Sequence, residues 1–310
     1  MIRAGIAGGA TTAGGEVTKL LVNHPDVEII WAQSPELDGH FLYEVHKGLR
    51  GETYMRFTGR PDVDEIDVLF LCFDDPDETA RFLHSVNVPE RVRMIDLSGL
   101  FREPSDTESP WIYALPELNR KPLVRGATKA AIPGPLATAT LLGLLPLAKN
   151  LMLTADIHAC AVVPDLDAEP GEALALLDHE QTQEISDALR TVQQSFSRPI
   201  FFVVTAGGWT RGISLVMYFK CQTSEAELRL LYDEYYSDHG FTFISDSVPS
   251  LSEVVGTGKC IINLQKVGDR LAVSVAIDDI LKGSAAQAVH AMNLLFGLQE
   301  RVGLMLLAAK

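Results

Sequence analysis

The residues with the clearest chemical potential form a glycine-rich run over positions 5–16, between an apolar stretch and a helix-forming one. Glycines permit a sharp turn, and a helix starting there offers free N–H groups and a positive dipole end to a pyrophosphate. The context predicts a dinucleotide-binding turn, and a plain strand-to-helix turn is the alternative. The predicted cofactor-binding residues of this turn are Gly8, Gly9, Thr11, Thr12 and Gly14.

Two features of the sequence depart from the usual dinucleotide-binding pattern, one in this run and one at the end of the second predicted strand. Thr11 occupies the middle glycine slot, so its Cβ is expected either to crowd a cofactor phosphate or to impose a different turn. The second predicted strand ends at Ala32, Gln33 and Ser34, with neither an acid for a ribose hydroxyl nor an arginine for a phosphate. Ser34 remains a cofactor-binding candidate, and the choice between NAD and NADP stays open.

The elements around this turn alternate between strand and helix patterns. Apolar runs at residues 2–7, 27–32, 66–73 and 92–97 predict strands, and residues 16–22 and 77–84 predict helices. This alternation predicts a parallel, doubly wound α/β sheet.

The middle of the chain has a different pattern. Residues 137–149 predict a buried helix, 151–163 a strand, 169–197 a polar helix, 200–205 and 213–222 strands that alternate like antiparallel ones, 224–236 a serine-capped helix, 260–264 and 271–277 paired strands, and 285–298 a last helix. This order predicts an α+β block with a mostly antiparallel sheet.

Composition limits the possible partners. The 310 residues include 26 basic and 41 acidic ones, and the net charge of −15 disfavours nucleic acid and anionic membranes. We expect no signal peptide, no membrane span and a cytoplasmic protein. The four cysteines have no C-x-x-C spacing, so no metal site is predicted.

Taken together, the chain resembles the N-acetyl-gamma-glutamyl-phosphate reductases of arginine biosynthesis, and especially the bacterial branch acting on N-succinyl or N-acetyl forms. The resemblance covers nearly the whole chain, and the matching residues are 5–16, 23–28, 96–98, 101–102, 115–119, 143–150, 211–213, 282–283, 287–289 and 292–294.

The resemblance implies a Rossmann domain from residues 1–132 and 285–310, with a semialdehyde-dehydrogenase-type dimerisation domain inserted over 133–284. It implies NADP as cofactor and self-association as a dimer or tetramer. It also implies reduction of an acyl phosphate to an aldehyde, through a cysteine thioester and a histidine acid/base.

The catalytic positions of the family are not retained. The family segment Asn-Pro-Gly-Cys reads Ile132, Pro133, Gly134 and Pro135 here, and a proline ring cannot form a thioester. The segment 202–211, where the resemblance implies a histidine, contains none. The substrate loop becomes the acidic segment 164–170, and a histidine-rich family segment matches only at His179. No catalytic residue is therefore assigned.

Several further residues match family positions. Ser98, Gln287 and Asn293 are candidates for cofactor binding, with polar packing between domains as the alternative. Arg211 and Lys282 are candidates for binding substrate or another anion, with surface charge as the alternative. Cys160, which shares a strand face with His158, is the best replacement thiol, although a packing role is expected for each cysteine.

Three functions remain open. The chain is a catalytically silent family member, an active NAD(P)-dependent oxidoreductase with an altered substrate, or a structural partner of a paralogous active reductase. Nucleotide binding separates the first two from the third.

Overall fold

The computed structural model describes residues 1–103, 109–165 and 167–308, which form two compact units. The first unit consists of residues 1–102, 109–133 and 284–305, and the second is built on residues 134–283. Leu166, in the acidic loop discussed above, lies outside the described residues. Within the described part of the chain, no helix is both long and apolar enough to cross a bilayer.

The first unit contains a seven-stranded sheet in which every neighbouring pair is parallel. The strand order is β3-β2-β1-β4-β5-β7-β6. Its strands are β1 (Ile2–Ala7), β2 (Val27–Gln33), β3 (Phe57–Thr58), β4 (Val68–Leu71), β5 (Arg93–Asp96), β6 (Trp111–Tyr113) and β7 (Lys129–Ala131). All four residues of β4 are buried, as expected for a central strand covered on both faces. The predicted doubly wound α/β fold is confirmed.

The helices of the first unit are α1 (Thr12–Leu21), α2 (Leu42–Val45), α3 (Pro76–Ser85), α4 (Pro116–Val124) and α8 (Ala286–Leu295). Every residue of α8 is buried, and this helix packs against α1, α4 and β5. Helix α8 is therefore part of the core of the first unit, together with elements from the first 130 residues.

The second unit contains a mixed seven-stranded sheet with the order β12-β13-β14-β11-β8-β10-β9. Its strands are β8 (Ile157–Pro164), β9 (Ala173–Leu177), β10 (Ile200–Gly207), β11 (Ile213–Lys220), β12 (Thr242–Ser245), β13 (Cys260–Val267) and β14 (Arg270–Ile277), and its helices are α5 (Pro135–Lys149), α6 (Thr182–Val192) and α7 (Glu225–Tyr236). Only the β8–β10 and β12–β13 pairs are parallel, so the sheet is mostly antiparallel, as predicted.

One helix prediction was wrong. Residues 169–197 were expected to be helical, but they contain the edge strand β9 before α6 begins at Thr182. The strand sequence, Ala-Leu-Ala-Leu-Leu, has high helix propensity. Hydrogen bonding to β10 overrides that local preference, because the backbone groups of β9 complete the ladder at the edge of the sheet.

One strand prediction also needs correction, and another is refined by the strand order. The strand predicted over residues 151–163 begins only at Ile157, because Leu151 adopts a left-handed conformation (φ 57°) where α5 ends. The strands β10 and β11 run in opposite directions, as their alternation indicated, and β8 lies between them. Alternating burial along each strand was correct, but it carries no information about which strand is the neighbour.

Candidate nucleotide site and the start of helix α5

A cleft of about 530 Å³ opens in the first unit beside the glycine-rich turn. It lies at the carboxyl ends of β1, β2 and β4, where the strand order reverses direction. Open parallel sheets bind ligands at such a reversal. The lining residues that matter for binding are Gly8, Thr11, Gln33, Ser34, Glu36 and Arg81.

Gly8 and Gly14 hold the turn in a geometry closed to larger residues. Gly8 has a φ of +71°, and a Cβ there would lie 2.9 Å from the backbone of Cys72. A Cβ on Gly14 would lie 2.4 Å from the carbonyl oxygen of Gly8. Helix α1 can therefore pack directly on the turn only because both residues lack a side chain.

Thr11 stabilises this turn through hydrogen bonds of its hydroxyl group. Its hydroxyl oxygen accepts a hydrogen bond from the Gly14 N–H at 3.0 Å, so Thr11 is the N-cap of α1. The same hydroxyl lies 2.6 Å from the carbonyl oxygen of Cys72, to which it can donate. The extra Cβ thus produces a turn that is tied to the end of β4.

The beginning of α1 keeps donors for an anion. Thr12 and Ala13 are the first two residues of the helix, and among the described residues their N–H groups have no protein acceptor. Thr12 is exposed, while Gly9 is buried and donates its N–H to the Gln33 carbonyl oxygen at 2.8 Å. Free first-turn donors beside an open cleft fit a pyrophosphate.

The far end of the cleft carries both signs of charge. The Ser34 hydroxyl donates to the Glu36 carboxylate at 3.3 Å, and the Arg81 guanidinium lies 3.7 Å from Glu78. The lining therefore offers a carboxylate for ribose hydroxyls and a guanidinium for a phosphate. The side-chain oxygen of Gln33 is already engaged, because it accepts from the Gly8 N–H at 3.1 Å.

The other three predicted cofactor residues lie in the first unit but do not line this cleft. Ser98 donates its N–H and its hydroxyl to the buried Asp96 carboxylate. Gln287 donates to the carbonyl oxygen of Ala114 at 2.9 Å. Asn293 donates to the carbonyl oxygen of Val302 at 2.8 Å. The Gln287 bond spans 173 residues, the Asn293 bond nine and the Ser98 bonds two, and all of them lie within the first unit.

In the second unit, Pro135 is the first residue of α5 and Gly134 is its N-cap. Proline is favoured at this position, since the first N–H of a helix has no intrahelical acceptor and the fixed φ suits the helix. Pro135 packs against the segment that follows β14, where a Cβ on Gly283 would lie 2.8 Å from the Pro135 Cβ. Residue 135 thus holds a packed ring without a titratable group.

Two side chains from α6 and its preceding turn close over the start of α5. The Gln181 side-chain oxygen accepts from the Ala137 N–H at 2.9 Å. The Glu184 carboxylate accepts from the Gly134 N–H at 3.0 Å. The backbone donors of Gly134 and Ala137 are therefore already bonded to the protein itself.

Arg211 and Lys282, the predicted anion-binding residues, also lie in the second unit. Arg211 pairs with the fully buried Asp278, with 3.0 Å between Nε and Oδ2. Asp278 also accepts from the Gly256 N–H at 2.8 Å. Lys282 is 1% exposed, and its Nζ lies 5.9 Å from the centroid of the Phe241 ring. Neither cation is a solvated surface charge.

The four cysteines differ in their exposure to solvent. Cys72, Cys221 and Cys260 are buried, and burial together with the charges of Asp96 and Asp74 raises the pKa of the Cys72 thiol far above its usual range. Cys160 is exposed on β8. The His158 ring on the same strand is stacked against Phe201 and Tyr218.

Cys160 lies in a row of side chains on one face of the second sheet. The strand register places Val203, Cys160 and Val216 side by side on β10, β8 and β11. Val203 and Val216 are 37% and 36% exposed. The alternating residues, including Met217, face α5, where the Met217 Cε would lie 2.3 Å from a Cβ on Gly143. The row formed by Val203, Cys160 and Val216 is thus apolar and is not covered by α5.

Sequence reasoning missed Glu36, Gln181 and Glu184. Glu36 was detectable, because it follows the second strand by only a few residues. The other two gave no local signal, since Gln181 meets Ala137 across 44 residues and Glu184 meets Gly134 across 50.

Comparison with known proteins identifies relatives along nearly the whole chain. N-acetyl-gamma-glutamyl-phosphate reductase of Parabacteroides distasonis is 42% identical, with 98% of this chain and 98% of the relative covered. The protein of the same name from Bacteroides thetaiotaomicron is 43% identical, with 99% of this chain and 98% of that one covered.

Structural neighbours agree with the fold. A probable aspartate-semialdehyde dehydrogenase from Pseudomonas aeruginosa has a TM-score of 0.71 at 13% identity, covering 95% of this chain and 98% of the neighbour. Aspartate semialdehyde dehydrogenase with NADP from Candida albicans has a TM-score of 0.69 at 12% identity, covering 96% and 98%.

Two family models match consecutive parts of the chain. Residues 3–125 match the NAD binding domain of semialdehyde dehydrogenases. Residues 168–279 match the semialdehyde dehydrogenase dimerisation domain. With these models and relatives of more than 40% identity over nearly its full length, the chain belongs to the N-acetyl-gamma-glutamyl-phosphate reductase family.

Proposed function

We propose that this protein binds NADP but does not carry out the thiol-dependent reduction of an acyl phosphate. The observation that carries the proposal is Pro135 at the first position of α5. A thioester requires a nucleophilic sulfur, and the proline ring has no atom that can displace phosphate.

No other cysteine is well placed to act instead. Cys72 is buried with a strongly raised thiol pKa, so it carries no thiolate at neutral pH. Cys221 and Cys260 are buried as well. Cys160 is exposed, but it lies between Val203 and Val216 on the face of the second sheet, away from the start of α5.

The cleft of the first unit supports nucleotide binding. The Thr12 and Ala13 N–H groups fit the pyrophosphate, and Ser34, Glu36 and Arg81 surround the position expected for the ribose. A bound nicotinamide nucleotide supplies hydride chemistry. The protein contributes the glycine turn that lets the backbone approach the phosphates.

Self-association is part of the same proposal. The uncovered row of Val203, Cys160 and Val216 belongs to the unit that matches a dimerisation domain. Burial of such an apolar face stabilises assemblies. A second copy of this chain, in a dimer or tetramer, is the proposed cover, and a paralogous active reductase is the alternative.

An oxidoreductase with an altered substrate is the second candidate function. Direct hydride transfer to a carbonyl needs an acid but no nucleophile. Lys282 favours this candidate, because its amine is buried one residue before the Gly283–Pro135 contact.

Titration with NADPH and NADH, followed by fluorescence and thermal shift, tests the binding proposal. We expect saturable binding, together with no phosphate-dependent oxidation of N-acetyl-glutamate semialdehyde. Turnover in that assay refutes catalytic silence. Failure to bind either nucleotide leaves only the structural role, which co-purification with an active reductase tests. Oxidation of NADPH by another carbonyl compound selects the altered oxidoreductase.

A further inference from the structure

Two backbone donors at the start of α5, on Gly134 and Ala137, are bonded to side chains of the protein itself. First-turn N–H groups are the donors that stabilise a thiolate at a helix start. Here the Ala137 N–H is bonded to Gln181 at 2.9 Å and the Gly134 N–H to Glu184 at 3.0 Å. Pro135 has no N–H to contribute.

The Gln181 amide also occupies the space beside the helix start. A Cβ on Gly134 would lie 2.2 Å from the Gln181 side-chain oxygen and 2.4 Å from its Cδ. The amide group is therefore held in contact with the N-cap residue. Glycine at position 134 permits this contact, because any larger residue would displace the amide.

The backbone of Gln181 is fixed as well. Its N–H donates to the His179 ring nitrogen Nδ1 at 3.1 Å, and its carbonyl oxygen accepts from the Ile185 N–H at 3.0 Å. The residue is thus anchored where α6 begins. Its side chain approaches α5 from a rigid support.

We infer that Gln181 is an internal ligand of α5, which occupies a first-turn donor that would otherwise stabilise a thiolate at residue 135. The inference rests on the proposed function and adds a second, independent block to the reaction. Restoring sulfur at residue 135 then yields an ordinary thiol. Activation requires that Gln181 also release the Ala137 N–H.

The test measures the pH dependence of iodoacetamide alkylation at residue 135, followed by mass spectrometry of the peptide containing it. In P135C we expect the thiol to have a pKa of about 8.5, as free cysteine does. In P135C/Q181A the freed N–H faces the thiolate, and we expect a pKa lower by about one unit, which gives severalfold faster alkylation at pH 7.

Two comparisons control for indirect effects. P135C/Q183A removes a glutamine amide of α6 that bonds, among the described residues, to Asp187 alone, and it should titrate like P135C. P135C/Q181E keeps an oxygen acceptor and adds a negative charge, so its thiol pKa should not fall. This variant keeps the inference testable if the alanine variant is unstable.

Equal thiol pKa values in P135C and P135C/Q181A overturn the inference, as does a pKa well below that of free cysteine in P135C alone. A lowered pKa in P135C/Q181E has the same consequence. Turnover by the unsubstituted protein would instead refute the proposed catalytic silence. The two failures are distinguishable, because alkylation reports only on the thiol at residue 135.

Discussion

Gly283 and Pro135 are in direct contact within the second unit. A Cβ on Gly283 would lie 2.8 Å from the Pro135 Cβ and 3.1 Å from its Cα. The Pro135 atoms in this contact belong to the backbone and to a rigid ring, so they cannot move aside as the end of a flexible side chain could. The segment after β14 can therefore pass the start of α5 only with glycine at position 283.

Gly283→Ala is expected to destabilise the protein by about 1–3 kcal/mol, because the added methyl group overpacks against the ring of Pro135. Chemical denaturation measures the effect. Gly208→Ala is the matched control, since a Cβ there would meet only Pro170 at 3.7 Å, an ordinary contact distance. Equal stability of the two variants would contradict the packing argument.

Thr12→Asp is expected to weaken NADPH binding by about tenfold, or about 1.4 kcal/mol, because its carboxylate repels a pyrophosphate at the same helix start. Thermal stability should hold or rise, since an acid at this position favours the helix dipole. Thr12→Ser keeps a hydroxyl and should bind like the unsubstituted protein. Isothermal titration measures both, and unchanged affinity in Thr12→Asp would place the phosphates elsewhere.

The elements predicted correctly are those whose signals are local. The bounds of β1 match the apolar run at residues 2–7, and α7 begins where Ser224 and Glu227 form a reciprocal capping box. Both follow from side chains a few residues apart. Local chemistry was therefore enough to locate them.

The failures concern interactions between segments distant in sequence. Strand β9 has a helix-forming sequence and exists as a strand because β10 is its neighbour. The candidate site shows the same limit. The assignment of Pro135 to the nucleophile position is a prediction from a local motif, whereas the approach of Gln181 to α5 depends on how α5 and α6 pack.

Asp279→Asn is expected to stabilise the protein at neutral pH. Burial raises the pKa of the Asp279 carboxyl and the charge of Asp278 adds to this, although the Gly212 N–H and Arg211 oppose it. A carboxyl with a raised folded-state pKa favours folding at low pH, and that contribution is lost as the pH rises from its ordinary value of 3.8 through the raised value. Asparagine keeps an oxygen for the Gly212 N–H without the buried charge.

The stabilising effect of Asp279→Asn should shrink below pH 4, where the aspartate is itself protonated. Unfolding free energies over pH 3–8 measure this trend. Asp278→Asn is a control with the opposite expected sign. It removes the charged partner of Arg211 from a fully buried position, and we expect it to lower the free energy of unfolding by about 3–5 kcal/mol at neutral pH. A pH-independent effect of Asp279→Asn would show that its charge is not the cause.

Val216→Asp is expected to weaken self-association. Val216 lies beside Cys160 on the uncovered sheet face, and a second copy seated there would bury the new carboxylate without a partner, at a cost of several kcal/mol. Light scattering coupled to size exclusion should show the mass falling towards that of a single chain. Val267→Asp controls for added charge, because Val267 ends β13 and is 82% exposed. If both variants keep the mass of the unsubstituted protein, the assembly does not use this face.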